Sequence, residues 1–281
     1  MYTFPRYPMA LAGLLAAAVA LTAGTPAAFA DDLAEQGRAV LDEHREAVVT
    51  LVMVISVSYE GNESENETEA NATVISPDGL AVLSLTAVDP TVQYERSPNM
   101  TSDLVSKIKD MRMVLADGSE ITAEVVLRDR DLDLAFVRPV SPVSEPMKHV
   151  DLTRTSAPQI LDPVVVLAQL GKVSRRAHSA FIERVETLVE RPRLFYVLGQ
   201  HRGQSVMCSP VFGLDGGFVG IGVLRTLRAA QGGRFEEALV IVVPAEDIRT
   251  ASEQVPPPGE SAPEESPAEE AAPEETVVPA V

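Results

Sequence analysis

The sequence is poor in the residues that build several common kinds of site. Its 281 residues contain one cysteine, Cys208, no tryptophan and only 5% aromatic residues. A single cysteine excludes an intrachain disulfide framework and argues against a cysteine-rich zinc site. The scarcity of aromatic side chains argues against stacking platforms for bases or sugars. Because the sequence also lacks a glycine-rich phosphate loop and a paired-histidine metal motif, we predict neither a cofactor nor a metal.

Positive charge is scarce as well. Lys and Arg number 23 against 41 Asp and Glu, which gives a formal net charge of −18. A chain without a basic surplus has little with which to neutralise phosphates, which argues against a nucleic-acid partner, and we predict none. The acidity is concentrated in residues 254–281, with seven glutamates, and in residues 60–69, with five. Hydrophobic residues make up 46% of the whole chain, which is enough for a folded core.

Both ends of the chain differ in composition from its centre. Residues 1–30 predict a secretory signal peptide, with Arg6 before an apolar run and Ala28-Phe29-Ala30 as a small-x-small cleavage site. The apolar run is shorter than the ~20 residues that a membrane-spanning helix needs. Residues 253–281 combine proline with glutamate and alanine, which predicts a disordered acidic tail. We therefore expect one folded unit over residues 31–252.

The folded unit is typical of an all-β protein. An amphipathic pattern near residues 33–47 predicts a short helix, and the Val- and Ile-rich run 47–59 predicts a buried strand. Residues 60–71 are acidic and polar, which predicts a long loop at a hairpin tip. Further apolar runs between turn residues predict strands over 72–75, 80–83, 111–115, 121–127, 134–137, 164–170, 181–189, 194–198, 211–214, 218–224 and 239–243. Many short strands and few helices favour a barrel or a sandwich.

Six sequence blocks, taken in order, resemble the trypsin-like serine proteases, and most closely their bacterial HtrA/Deg branch. The blocks are 72–79 (ATVISPDG), 114–118 (VLADG), 131–137 (DLDLAFV), 162–168 (DPVVVLA), 209–216 (SPVFGLDG) and 243–249 (VPAEDIR). The resemblance covers about residues 47–250. It implies two six-stranded β-barrels with a site at their junction, preceded here by a short amino-terminal helix.

The resemblance also assigns the positions of a catalytic triad. The carboxylate that orients the base falls on Asp133, in Asp133-Leu134-Ala135. The base should be a histidine shortly after the Asp78-Gly79 turn, where this sequence has Thr86. Threonine does not accept a proton near neutral pH as imidazole does. Of the four histidines, His201 is the one that precedes the nucleophile block, and it is the only stand-in that we would test.

The nucleophile position is also substituted. Aligning the family's Gly-Asn-Ser-Gly-Gly-Pro motif on Pro210 places Met207 where the serine should be. Ser205, Cys208 and Ser209 replace the motif's glycines, which puts the oxyanion loop formed by Ser205 and Met207 in doubt. A thioether has no proton to lose and is no alkoxide-like nucleophile. Cys208 and Ser209 are therefore the alternative nucleophiles, and either would still need a base.

The resemblance thus implies a secreted or periplasmic protein of protease fold without peptidase activity. Such a protein could bind a polypeptide, or another envelope protein, by strand addition in the cleft between the barrels. It would not insert into a membrane after signal cleavage. One alternative is an active serine-type or Cys208-dependent endopeptidase with a rearranged site, and another is an envelope protein whose barrels only carry the acidic tail. The family often forms trimers through its amino-terminal segment, although nothing in residues 33–47 requires an oligomer.

Overall fold

The computed structural model describes residues 27–59, 61–95, 104–115, 117–199, 206–227 and 237–259. Most of the expected signal peptide and residues 260–281 of the expected tail lie outside these ranges. Within them, no helix combines the length and the apolar character needed to cross a bilayer.

The amino-terminal half forms a closed barrel. Its strands are hydrogen-bonded in the order β1-β2-β3-β6-β5-β4, and β4 pairs again with β1, so that the sheet closes. All the neighbouring strands are antiparallel. The six strands are β1 (Val48–Tyr59), β2 (Asn62–Val74), β3 (Ala81–Ser84), β4 (Val105–Val114), β5 (Glu120–Asp129) and β6 (Leu134–Pro139).

The carboxyl-terminal half forms a second closed barrel in the order β10-β11-β12-β9-β8-β7, again with antiparallel neighbours. The strands are β7 (Pro163–Gln169), β8 (His178–Val189), β9 (Phe195–Leu198), β10 (Pro210–Gly213), β11 (Phe218–Leu227) and β12 (Glu237–Pro244). Two closed six-stranded antiparallel barrels occur in trypsin-like folds, so the expected fold class is confirmed.

Four α-helices accompany the barrels in the described residues: α1 (Ala27–His44), α2 (Leu85–Val88), α3 (Val92–Glu95) and α4 (Ala245–Ser252). Helix α1 is the expected amino-terminal helix, and it continues into a 3₁₀ turn at Arg45–Ala47. It is fixed to the second barrel at its end, where the His44 ring stacks on Phe212 with 4.2 Å between centroids. His44 Nε2 also lies 3.1 Å from the carbonyl oxygen of Gly216.

The two barrels share an apolar core. One cluster of buried side chains joins Leu134 and Phe136 of β6 to Phe212 and Ile221 of the second barrel, and it extends to Ile248 of α4. Each of these five side chains is fully or almost fully buried. Because burial of apolar area is the main force that holds such surfaces together, the barrels form one body and the groups at their junction have fixed positions.

The expected loop at residues 60–71 is wrong. Only a tight turn containing Gly61 separates β1 from β2, and β2 pairs with β1 from Asn62 to Thr73. Glutamate is unfavourable in strands, but here the acids on alternate positions meet cations from elsewhere in the fold. Lys109 Nζ lies 3.1 Å from Glu63, and Arg176 Nη2 lies 2.6 Å from Glu69. These cross-strand and inter-barrel pairs support a strand that its local composition argues against.

Candidate functional site

The positions assigned to the triad lie at the junction of the barrels. Thr86 is in α2, directly after β3, and Asp133 directly precedes β6, which pairs with β3. Met207 and Cys208 are in the turn before β10, and both pack against the apolar core of the first barrel. The fold therefore brings the three triad positions of the resemblance to one place.

Asp133 is fully buried and receives several hydrogen bonds. Its Oδ1 accepts from the Thr86 backbone N–H at 3.1 Å and from the Thr86 hydroxyl at 2.8 Å. Its Oδ2 accepts from the Ser84 hydroxyl at 2.5 Å. A carboxylate needs such donors when it is buried, because an unpaired charge away from water is costly.

The same aspartate caps helix α2. Ser84 occupies the N-cap position in extended conformation, yet its side chain makes no capping bond, because its hydroxyl is directed to Asp133. The first N–H groups of α2 are bonded by Asp133 instead: its carbonyl oxygen accepts from Leu85 N at 2.8 Å, and its carboxylate accepts from Thr86 N. Helix starts need acceptors for these groups. Asp133 thus fixes the segment that contains Thr86.

Local sequence explains how Asp133 reaches this position. Asp129, at the end of β5, accepts hydrogen bonds from the backbone N–H groups of Asp131 and Leu132 at 3.0 and 2.9 Å. Such an aspartate turn reverses the chain into β6. Asp133 itself has a φ of 57°, in the left-handed region that aspartate tolerates better than most residues.

The turn over residues 206–209 is bonded to β11. Cys208 N donates to the carbonyl oxygen of Gly222 at 2.7 Å, and Ser209 N donates to that of Val206 at 3.0 Å. A Cβ atom on Gly222 would lie 2.0 Å from the Val206 carbonyl oxygen, so this close approach requires glycine. The backbone N–H groups of Cys208 and Ser209 are therefore both bonded within the protein.

Cys208 is placed as a core residue. Its side chain is 2% exposed, and its φ of 62° is a value more common for glycine. Burial raises the pKa of the Cys208 thiol to about 12, and the nearby negative charge of Asp133 adds to the rise. At pH 7 only about one such thiol in 10⁵ is ionised, whereas a nucleophilic cysteine needs the thiolate. The surroundings of Cys208 thus oppose nucleophilic reactivity.

The other residues named from the sequence have varied outcomes. Ser209 is fully buried in the same turn. Ser205 and His201 lie outside the described residues. Three histidines are described: His44 stacks on Phe212, His149 is exposed and bonds the Met147 carbonyl oxygen, and His178 begins β8.

Ser84 was missed by the sequence reasoning. It makes one of the shortest contacts of the junction, with Asp133, although 49 residues separate the two in the chain. Its position immediately before a short helix predicts a local N-cap. The Ser84 hydroxyl reaches Asp133 because β3 pairs with β6, and no local sequence pattern encodes that pairing.

The junction groups do not resemble a metal centre or an open pocket. Within the described ranges, His, Cys, Asp and Glu side chains form no group of three that could hold a metal ion. Thr86, Asp133 and Cys208 are 5%, 0% and 2% exposed. A cleft of about 650 Å³ lies elsewhere, on the first barrel around Pro139 and Pro142, and none of the triad positions lines it. Chemically, the junction can hold a buried carboxylate and a buried thiol, but neither is poised to react.

Comparison with known proteins adds no relative: no protein-family model matches the chain, and no curated protein is similar enough to count as a match.

Proposed function

We propose that this protein is a secreted or periplasmic polypeptide-binding protein of trypsin-like fold, most similar to the HtrA/Deg branch, without peptidase activity. The observation that carries this proposal is the environment of Asp133. In a working triad such a carboxylate orients an imidazole. Here its oxygens accept from Ser84 and Thr86, so the carboxylate acts as a structural cap.

The groups at the nucleophile position support the same proposal. Met207 offers a thioether in place of a hydroxyl, and the neighbouring Cys208 is buried with a pKa of about 12. Loss of triad members lowers kcat by about 10⁴–10⁶-fold in well-studied hydrolases.

A sheet edge next to the junction supports polypeptide binding. Strand β11 pairs with β12 from Gly220 to Leu227. On its other edge it pairs with β10 only as far as Ile221 and bridges Met207 at Gly222. Among the described residues, the last pairing of this edge with the segment around β10 is the Met207–Gly222 bridge, next to the junction. An extended peptide can add to such an edge through main-chain hydrogen bonds, without any catalytic group.

The test is binding without cleavage. Fluorophore-labelled, unfolded casein is mixed with the secreted chain, and anisotropy and fragment formation are followed in the same sample. We expect a rise in anisotropy with a dissociation constant in the micromolar range, about −8 kcal/mol, and no fragments. Casein fragments that persist after repeated purification would overturn the proposed lack of peptidase activity. Intact casein without an anisotropy change would overturn the proposed polypeptide binding.

A matched pair of variants locates the binding surface. Met207 is half-buried at the junction, so a charge in Met207→Glu should weaken casein binding at least fivefold. Leu170, which directly follows β7 and is 43% exposed, provides the control Leu170→Glu, which should bind as the unmodified protein does. Thermal unfolding of both variants shows whether either has lost the fold. Equal affinities for two folded variants would place the binding surface away from the junction.

A further inference from the structure

A cleft on the first barrel has no role in the function proposed above. Its volume is about 650 Å³, and it lies between the Pro77-Asp78 turn, the end of β6 and the loop that follows β6. Most of its lining residues are proline or valine, and Val140 is 54% exposed within it. A cleft of this size with mostly apolar walls is typical of a site for a small organic ligand.

Hydrogen bonds and close packing fix the walls of the cleft. Val140 N donates to the Thr122 carbonyl oxygen at 2.9 Å, which holds the residue after β6 to β5. Met147 N donates to the Pro77 carbonyl oxygen at 3.0 Å, which holds the loop after β6 to the turn. In that turn Gly79 has a φ of 89°, and a Cβ atom there would lie 2.9 Å from Met147 Sδ. A ligand thus meets walls that are already formed, so little conformational freedom is lost on binding.

Two carboxylates and one guanidinium line the cleft, and the guanidinium is largely covered. The Arg138 side chain is 11% exposed, and its Nη1 donates to the carbonyl oxygen of Pro256 at 3.0 Å. Its Nε is buried and lies 3.5 Å from Asp78 Oδ2. The Asp78 side chain is 44% exposed, and Glu124, which is paired with Arg138 across β5 and β6, is exposed as well. The charge that an occupant of the cleft can reach is therefore mainly negative.

We propose that this cleft binds an apolar organic cation, a small molecule with a compact hydrocarbon body and one protonated amine. The hydrocarbon body packs against the proline and valine walls and leaves water. The ammonium group pairs with the carboxylates of Asp78 and Glu124, because charge-assisted hydrogen bonds to carboxylates are the stronger ones. The proposal does not depend on whether the barrel junction binds polypeptide.

The same groups select against other ligands of the same shape. An uncharged molecule gains the apolar contacts but no ion pair. An anionic molecule meets Asp78 and Glu124 with a charge of the same sign, while the Arg138 guanidinium is already bonded to Pro256. The affinity for ligands of one shape should therefore fall in the order cation, neutral molecule, anion.

Three probes of nearly one shape test this order: 1-adamantanemethylamine, 1-adamantanemethanol and 1-adamantanecarboxylate. Each is titrated into the full-length chain, labelled at its valine and leucine methyl groups, and binding is followed by NMR. We expect the amine to bind with a dissociation constant below about 1 mM, and the largest shifts to occur at the methyl groups of Val140 and Val143. The amine should bind about fivefold more tightly than the alcohol, which is the ratio expected for a partly exposed ion pair. The carboxylate should bind more weakly than the alcohol.

A pair of variants tests the charge. Glu124→Gln should weaken binding of the amine about threefold and leave binding of the alcohol unchanged, because only the ion pair is altered. A net charge of −18 attracts any cation weakly, so Glu190→Gln, at an exposed position outside the cleft, is the control and should leave both affinities unchanged. Equal effects of the two variants would overturn the proposal.

A second pair of variants tests the location. In Val140→Trp the larger side chain fills the cleft, so the amine and the alcohol should both bind at least tenfold more weakly. Ile160→Trp is the control, because Ile160 is 55% exposed and does not line the cleft. Thermal unfolding shows whether each variant has kept the fold. Unchanged binding to a folded Val140→Trp variant, equal affinities for amine and alcohol, or an amine dissociation constant above about 1 mM would overturn the proposal.

Discussion

Replacing Thr86 with valine tests whether Asp133 has a structural role. Valine has nearly the shape of threonine but lacks the hydroxyl that donates to Asp133 Oδ1 at 2.8 Å. Both residues are buried, so water does not replace the lost donor. Hydrogen bonds to charged groups contribute about 1.5–3 kcal/mol each. We expect Thr86→Val to lower the free energy of unfolding by about 2 kcal/mol, and the thermal midpoint by about 4–8 °C.

The assay is a double-mutant cycle in guanidinium chloride, which compares unfolding midpoints of Thr86→Val, Asp133→Asn and the combined variant. Asparagine is nearly isosteric with aspartate and tolerates the left-handed φ of 57° at this position. Because the hydroxyl then donates to a neutral amide oxygen, Thr86→Val should cost at least 1 kcal/mol less in the Asp133→Asn background. Independent sites usually add within about 0.5 kcal/mol, so a coupling below that value would refute the assigned role.

Three further predictions address the turn and the amino-terminal helix. Cys208 should react with a thiol reagent at pH 8 at least 100-fold more slowly in the native protein than in denaturant, because its side chain is 2% exposed and its pKa is about 12. Fast labelling of the native protein would contradict this burial. Gly222→Ala should abolish folding or lower the free energy of unfolding by more than about 3 kcal/mol, because its Cβ would lie 2.0 Å from the Val206 carbonyl oxygen. Gly37 in helix α1 is the control, because a Cβ there would lie no closer than 3.4 Å to another side chain. Urea unfolding should show Gly37→Ala to be neutral or stabilising. Burial lowers the pKa of His44 in the folded protein, so its contribution to stability is present above about pH 6.5 and is lost as the pH falls through the folded pKa. Between pH 7.5 and 5.5 the thermal midpoint of His44→Gln should therefore fall less than that of the unmodified protein. Parallel falls of the two midpoints would contradict this.

The barrels are encoded largely by local sequence. Strand β1 begins and ends within one residue of the run of Val, Ile and Met that predicts it, and β8, β11 and β12 contain the apolar runs assigned to them. Runs of β-branched residues between turn residues specify strands locally, and antiparallel neighbours need only short connections.

Strand β2 shows where local reasoning fails. Its glutamates predict a loop because glutamate is disfavoured in strands. These glutamates form ion pairs with cations from β4 and from the turn before β8, far along the chain: Lys109, Arg112 and Arg176. The free energy that favours the strand is therefore tertiary, and no window of the sequence around β2 contains it.

The contacts of the junction were beyond sequence reasoning for the same cause. Motif order assigned the positions of Thr86, Asp133 and Met207, because order along the chain is what a resemblance reports. It gave no sign that the Ser84 hydroxyl bonds Asp133, nor that Arg138 bonds Pro256 across 118 residues. Both contacts join segments that meet only after the strands have paired.

We do not expect that replacing residues 86 and 207 alone would produce a working triad at the junction. A histidine at position 86 would have to enter a site where the present side chain is 5% exposed, and it would remove a hydroxyl donor from Asp133. A serine at position 207 would still depend on that histidine to accept its proton. The proposed inactivity therefore depends on the surroundings of position 86 as well as on the two substituted residues, because the hydrogen bonds that hold α2 occupy the carboxylate oxygens that would orient an imidazole.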